Sequence, residues 1–156
     1  MDKDFKELLS AFNDHNVKYL IVGGYAVSYH SEPRFTKDLD LFIQSSAENA
    51  KAVFQALKEY GAPLDHMTLE DFVDPETMFQ IGVAPLRVDL LQKITGVDFE
   101  AAWNNRIRGP VGEGDPLEAN YISPQDLIQN KRATGRSRDI ADAEELEASL
   151  KATGRP

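Results

Sequence analysis

The sequence contains no cysteine. That excludes a disulfide scaffold and any thiolate metal site. It has no apolar run approaching the ~20 residues needed to cross a bilayer as a helix. The start, Met1-Asp2-Lys3-Asp4, lacks the apolar core of a secretion signal. A cytoplasmic protein with no membrane segment is therefore expected. There is a single tryptophan, no internal repeat and no low-complexity tract. Positive charge is scarce as well: 17 Lys and Arg against 26 Asp and Glu give a net charge of -9. A broad nonspecific nucleic-acid surface needs the opposite balance. The positive charge is unevenly placed, with Lys131, Arg132, Arg136 and Arg138 falling within eight residues, and a solvated helix face is the ordinary reading of such a cluster. What is present is a chain of 156 residues, 42% hydrophobic and 28% charged. This suits one domain, or one domain with a small appendage, that hides roughly 70% of its unfolded surface.

Phe5, Leu8, Leu9 and Phe12 recur at helical spacing and predict an amphipathic helix over Lys3 to Asn13. Val17 to Val22 reads as a buried strand ending at the Gly23-Gly24 turn, with a short helix from Tyr25 to His30. Pro33 marks residues 31 to 36 as a loop, and a second strand follows from Lys37 to Ile43. Ser45 and Glu48 have the spacing of a capping box ahead of a helix whose apolar stripe is Ala50, Val53, Phe54 and Leu57. Met78 to Val83 and Leu86 to Leu91 predict two short strands, Phe99 to Asn104 a helical turn or two, and residues 106 to 122 a hairpin or irregular strand pair. Ser123-Pro124-Gln125-Asp126 is a helix start, with Ser as N-cap and Pro at the first helical position. That helix runs to about Thr134, and Gly135 separates it from a last helix over Ser137 to Lys151. On this last helix Asp139 and Asp142 share a face, and pairing with Arg136 and Arg138 is their ordinary reading. The order predicts an α+β (α/β) domain: a core over residues 1–122, with a C-terminal helical hairpin in 123–156 packed on it.

Three acids stand out. Asp38 and Asp40 lie two apart on a strand, so both point to one face while Leu39, Leu41 and Ile43 point to the other. Paired carboxylates repel, and a hard cation such as Mg²⁺ between them relieves the repulsion. Alone, an Asp-x-Asp is equally an ordinary solvated strand face. Asp89 sits in the apolar run Leu86-Arg87-Val88-Asp89-Leu90-Leu91, where a charge has to be at an edge, paired or on a metal. A salt bridge to Arg87 is its ordinary reading. If the two strands pair side by side, the three carboxylates converge and can hold divalent ions. Gly23-Gly24 supplies a turn whose N–H groups can approach an anion at a helix start. Arg34, Thr36 and Lys37, just before the acids, are candidates for phosphate oxygens. His15 and His66 lack metal-ligand spacing. His30, Tyr25, Phe99 and Trp103 are read as packing residues, with Tyr25 alternatively stacking on a base.

Taken together, Val22-Gly23-Gly24-Tyr25-Ala26-Val27, His30, Arg34, Thr36 and Asp38-Leu39-Asp40-Leu41 resemble the signature of the DNA polymerase β-type nucleotidyltransferase superfamily. Within it the chain looks like compact bacterial members near the AbiEii-type toxin and minimal nucleotidyltransferase groups. Phe79 to Leu91 looks like the strand pair bearing the third acid. Asp126 to Lys131 and Arg138-Asp139-Ile140-Ala141-Asp142 resemble the family's C-terminal helices. The resemblance implies a central mixed sheet flanked by helices. It also implies transfer of an NMP from an NTP to a hydroxyl or phosphate acceptor, which is RNA, protein or a small molecule. Asp38, Asp40 and Asp89 would hold Mg²⁺ or Mn²⁺, and Asp89 would help deprotonate the acceptor. Gly23 and Gly24 would contact the triphosphate, Lys131 would neutralise it, and Asp139 would orient Lys131 or a base. Many active members have Gly-Ser where this chain has Gly23-Gly24, and the lost hydroxyl is worth about 0.5–1.5 kcal/mol. The alternative is a module that kept the fold and lost turnover, such as one half of a toxin–antitoxin pair. With 156 residues no large C-terminal domain is expected to read the acceptor, so a homodimer, a partner protein or the fold itself is expected to complete that side.

Overall fold

Phe5, Leu8, Leu9 and Phe12 lie buried along one face of α1 (Lys3–Asp14), whose N-terminus is capped by Asp2. The structure, a computed structural model, describes residues 1–82 and 86–153. The predicted strand end at Val83 and the Ala84-Pro85 junction lie outside these. After α1 come β1 (Tyr19–Val22), α2 (Gly23–His30), β2 (Asp38–Ile43) and α3 (Ala47–Tyr60). A 3-10 turn at Glu70–Val73 leads to β3 (Phe79–Ile81) and β4 (Arg87–Leu91). The chain then forms α4 (Phe99–Asn104), the hairpin of β5 (Ile107–Pro110) and β6 (Glu118–Tyr121), α5 (Pro124–Thr134) and α6 (Ser137–Ala152). No helix among the described residues is long and apolar enough to cross a membrane.

Six strands form one mixed sheet in the order β3-β4-β2-β1-β6-β5. β1 is central and buried on both faces, as its unbroken apolar run requires. It runs antiparallel to β2 and parallel to β6, while β2 runs parallel to β4. α1 packs against α3, and α5 and α6 pack on each other and on α2. The mixed α+β fold with a C-terminal helical hairpin is the one the pattern predicts.

Several boundaries differ for identifiable reasons. β1 begins at Tyr19 rather than Val17. The Asn49 side chain takes the Lys18 N–H at 2.8 Å and donates to its carbonyl at 3.1 Å, so a side chain does there what a strand would do. The capping box is displaced by one residue. Ser46, not Ser45, is the N-cap and accepts from the Asn49 N–H, while the Ser45 hydroxyl donates to Gln92. α2 starts at Gly23 itself rather than Tyr25. The packing residues behave as such. His30 Nε2 lies 2.7 Å from the Ile122 carbonyl, tying α2 to the end of β6. Tyr25 packs edge-on against Phe5 and donates to the Thr36 carbonyl, and His15 pairs with Glu59.

Candidate active site

The sheet register builds the site. Val22 lies opposite Asp40 across the β1–β2 pair, and across the parallel β2–β4 pair Asp38 faces Arg87 and Asp40 faces Asp89. Neighbouring strands are about 4.8 Å apart, so Asp38, Asp40, Arg87 and Asp89 form a square of charges on one face. The side-by-side strand pairing on which the expected convergence depends is present. Its electrostatic cost shows in Asp40. Burial, then the charges of Asp89 and Asp38, push its carboxyl up to about 6, against the pull of Lys131 and Arg87. Arg87 is the resident counterion: its Nη2 lies 3.4 Å from Asp38 Oδ2 and its Nε 3.2 Å from Asp89 Oδ1. The second contact is close enough for charge pairing but badly aimed. Arg87 Nε and Asp89 Oδ1 are both buried without a hydrogen bond, and an off-line contact satisfies neither fully.

Among the described residues no three metal-ligating side chains are gathered closely enough to hold an ion as they stand. Arg87 sits against both Asp38 and Asp89. The donor set nonetheless fits a hard divalent cation. All three candidate ligands are carboxylates on one face, the middle one resists ionisation because of burial and then its acidic neighbours, and Asp89 keeps a buried oxygen without a hydrogen bond. Those are the groups a cation satisfies.

The chain leaves β1 and enters α2 through Gly23, whose φ of +66° disfavours any side chain. A Cβ there would also overlap Asp40 Oδ2. At Gly24 a Cβ would stand 2.8 Å from the Thr36 methyl and 3.3 Å from its hydroxyl. The space a serine would fill is thus taken by Thr36, which brings its own hydroxyl to the same spot. Gly24→Ser alone is expected to cost about 1–3 kcal/mol through overpacking, seen as a lower denaturant midpoint. Adding Thr36→Ser, which removes the methyl and keeps the hydroxyl, should return most of that. Simple additivity of the two single changes would show that the sites do not clash.

Lys131 reaches the site from α5. Its side chain is only 12% exposed and lies 3.3 Å from both Asp139 and Asp142 on α6. Arg136 also pairs with Asp139 at 2.9 Å, and Arg34 reaches from the α2–β2 loop to Asp142 at 3.0 Å. Arg34 lines a cleft beside the acids but is held by Asp142, and Asp139 contacts Lys131, the residue it was expected to orient, along with Thr134 and Arg136. Burial raises the Asp139 and Asp142 carboxyls, but hydrogen bonds (from Thr134 to Asp139, from Arg34 to Asp142) and the Lys131 charge outweigh it, so both end below the ordinary 3.8. A lowered folded value stabilises the protein above the unfolded value and is lost as pH falls through the folded one. The α5–α6 hairpin is expected to loosen below about pH 4, and Asp142→Asn should flatten that acid limb. An unchanged acid limb in a melting series against pH would contradict it.

Beside the acids lies a cleft of about 380 Å³ lined by Gly24, Thr36, Lys37, Asp40, Phe35 and Arg138 among others. Lys37 and Arg138 make no ion pair among the described residues. Arg138 thus departs from the expected pairing with the α6 acids and lines the cleft instead. Phe35, 86% exposed at this cleft, is a site residue that spacing and motif do not single out. A large aromatic in a Pro-broken loop directly before the acids is the signal that marks it.

The six-stranded mixed sheet flanked by helices is the nucleotidyltransferase fold. Two solved structures share it. The lincomycin-bound lincosamide antibiotic adenylyltransferase LnuA has a TM-score of 0.55 at 15% identity, over 96% of this chain and 98% of that one. The antibiotic-resistance factor ANT(2'')-Ia has a TM-score of 0.60 at 17% identity, over 96% and 84%. In sequence, residues 1–151 match the model of the family described as Nucleotidyltransferase of unknown function (DUF6036), and the chain belongs to that family. This upholds the nucleotidyltransferase superfamily; neither the family match nor the two structures lends support to the AbiEii-type grouping. A comparison with curated proteins found no match.

Proposed function

We propose that the chain transfers a nucleoside monophosphate from an NTP to a hydroxyl or phosphate acceptor at Asp38, Asp40 and Asp89. The observation that supports this reading is the register that puts Asp40 beside Asp89, with Asp38 next to them, at a cleft carrying uncommitted cations. The three acids would hold Mg²⁺ or Mn²⁺, which supplies charge for the phosphates and acidity for the acceptor. Lys37 and Arg138 bind triphosphate oxygens, helped by the Thr36 hydroxyl and the N–H groups of Gly23 and Gly24. Lys131 offsets the charge of the acid cluster, and Asp139 positions Lys131. Asp89, with its unbonded oxygen, takes the acceptor's proton. The acceptor oxygen then bonds to the α-phosphorus, the bond to the β-phosphate oxygen breaks, and pyrophosphate leaves. Residues 123–156 act with 1–122 as one unit, because Lys131 and Arg138 come from them.

The test is Mg²⁺-dependent transfer of label from α-labelled NTPs to a panel of RNA, protein and small-molecule acceptors. Absence of both NTP and metal binding would overturn the reading. A drug-modifying role of the kind named for the two structural neighbours expects an acidic acceptor pocket. The cleft here carries Arg34, Lys37 and Arg138, and no acid beyond Asp38 and Asp40 among the described residues. A second reading, a nucleotide-binding or regulatory module without turnover, draws on Arg87, which already neutralises Asp38 and Asp89. A stable complex with a partner protein and no transfer would favour it.

A further inference from the structure

A second, larger groove of about 690 Å³ lies at the opposite end of the sheet. It opens beyond the first residue of β1, where Tyr19 pairs with Ile43, whereas the acids sit at the other end, where Val22 pairs with Asp40. The length of β1, roughly 10 Å, separates them. The side chains that shape the groove are Lys18, Trp103, Arg106, Arg108, Asn13 and Asn120. In a chain of net charge -9, this wall holds three cations, one indole and carboxamides. No carboxylate lines it among the described residues.

The groups are held in place. The Arg106 guanidinium lies 3.9 Å over the Trp103 ring, and its Nη1 donates to the Trp103 carbonyl at 2.8 Å. A guanidinium stacked this way keeps its outer N–H groups in one plane, suited to a phosphate. Arg108 donates to Asn120 Oδ1 at 3.0 Å, and its only acid among the described residues is the exposed Glu118 at 3.6 Å, a weak pair that a better anion displaces. Lys18 Nζ stands 6.0 Å from the Trp103 ring and has no acid partner among the described residues. Asn13 is fixed at the floor: it accepts from the Tyr19 hydroxyl and donates to the Glu118 carbonyl. Cations interleaved with an aromatic face and oriented amides make up the surface that takes a phosphate and the base attached to it.

We propose that this groove binds the phosphate groups of a nucleotide or polynucleotide, as a site separate from the catalytic cleft. Trp103 is the only tryptophan, so the intrinsic emission of the intact protein reports on the groove. The probes are inorganic phosphate, AMP and a single-stranded oligoadenylate RNA, titrated in EDTA so that metal-dependent binding at the acids is suppressed. Anisotropy of the fluorescein-labelled RNA gives a readout independent of the indole. Saturable binding that weakens on the order of tenfold or more in Arg108→Glu and in Lys18→Glu, and with rising salt, is expected. Asp40→Asn and Arg138→Glu should leave it unchanged. Binding of AMP as tight as that of the RNA marks a small-ligand site; binding of the RNA alone marks a track for a polymer. The proposal is overturned if no probe binds saturably. It is equally overturned if binding survives Arg108→Glu and Lys18→Glu but is lost in Arg138→Glu, which would assign the charge to the catalytic cleft.

Discussion

Asp40→Asn is expected to abolish nucleotidyl transfer while leaving the fold intact. Asp40 is the residue the other acids converge on. It faces Asp89 across the strand pair, shares its face with Asp38, and closes against the Gly23 backbone. Asparagine keeps the shape and removes the charge. A lost contact to a catalytic divalent ion withdraws several kcal/mol from the transition state. At about 1.4 kcal/mol per factor of ten, that is on the order of a thousandfold or more in rate. Stability should move the other way. The Asp40 carboxyl, raised to about 6, is forced to ionise near neutral pH among like charges, and a neutral amide escapes that cost. Metal-free Asp40→Asn should therefore melt no lower than the parent. Label transfer from an α-labelled NTP and a melting curve, run on the same preparation, separate the two effects. Transfer within a few-fold of the parent would remove the metal site from Asp40. A collapsed melting curve would show that the acid is needed for folding.

Lys131→Met is expected to damage both fold and function. The ammonium is buried between Asp139 and Asp142, whose residues are 8% and 6% exposed. Removing one member of a buried ionic cluster costs about 3–5 kcal/mol. Arg136 and Arg34 still hold one acid each, so the low end applies. For a chain of this size a loss of about 3 kcal/mol is a fall in Tm of roughly 6–12 °C. Transfer falls too, because the Lys131 charge is one of the two that favour ionised Asp40. Lys131→Met combined with Asp139→Asn should recover much of the stability without recovering activity. A melting temperature unchanged in Lys131→Met would mean that the cluster is solvated after all.

Much of the fold and part of the site are legible in the residue order. The apolar face of α1, the Ser123-Pro124 helix start and the Asp38–Asp40 strand face follow from spacing and local capping. So does the expectation that an acid inside an apolar strand, Asp89, needs a partner. What spacing cannot give is which residues meet across the sheet. A period of two names a face, but only the β2–β4 pairing sets Asp40, not Asp38, opposite Asp89. The tie between Arg34 and Asp142 spans 108 positions, and no local pattern marks it. Long flexible cations are the least readable. Of two neighbouring arginines expected to pair with the α6 acids, Arg136 does so and Arg138 turns to the cleft, a choice set by the packing of α5 and α6 around them. The N-cap shift from Ser45 to Ser46 is similar, since Gln92 from beyond β4 claims the Ser45 hydroxyl.

The contact between Gly24 and Thr36 imposes an order on how this sequence can change. A chain that acquires serine at position 24 while the threonine methyl is in place passes through a strained intermediate. One that first shortens position 36 to serine does not. The step from the Gly-Gly to the Gly-Ser form is therefore ordered, with residue 36 changing first and residue 24 second. A natural relative with serine at position 24 should carry a residue other than threonine at position 36.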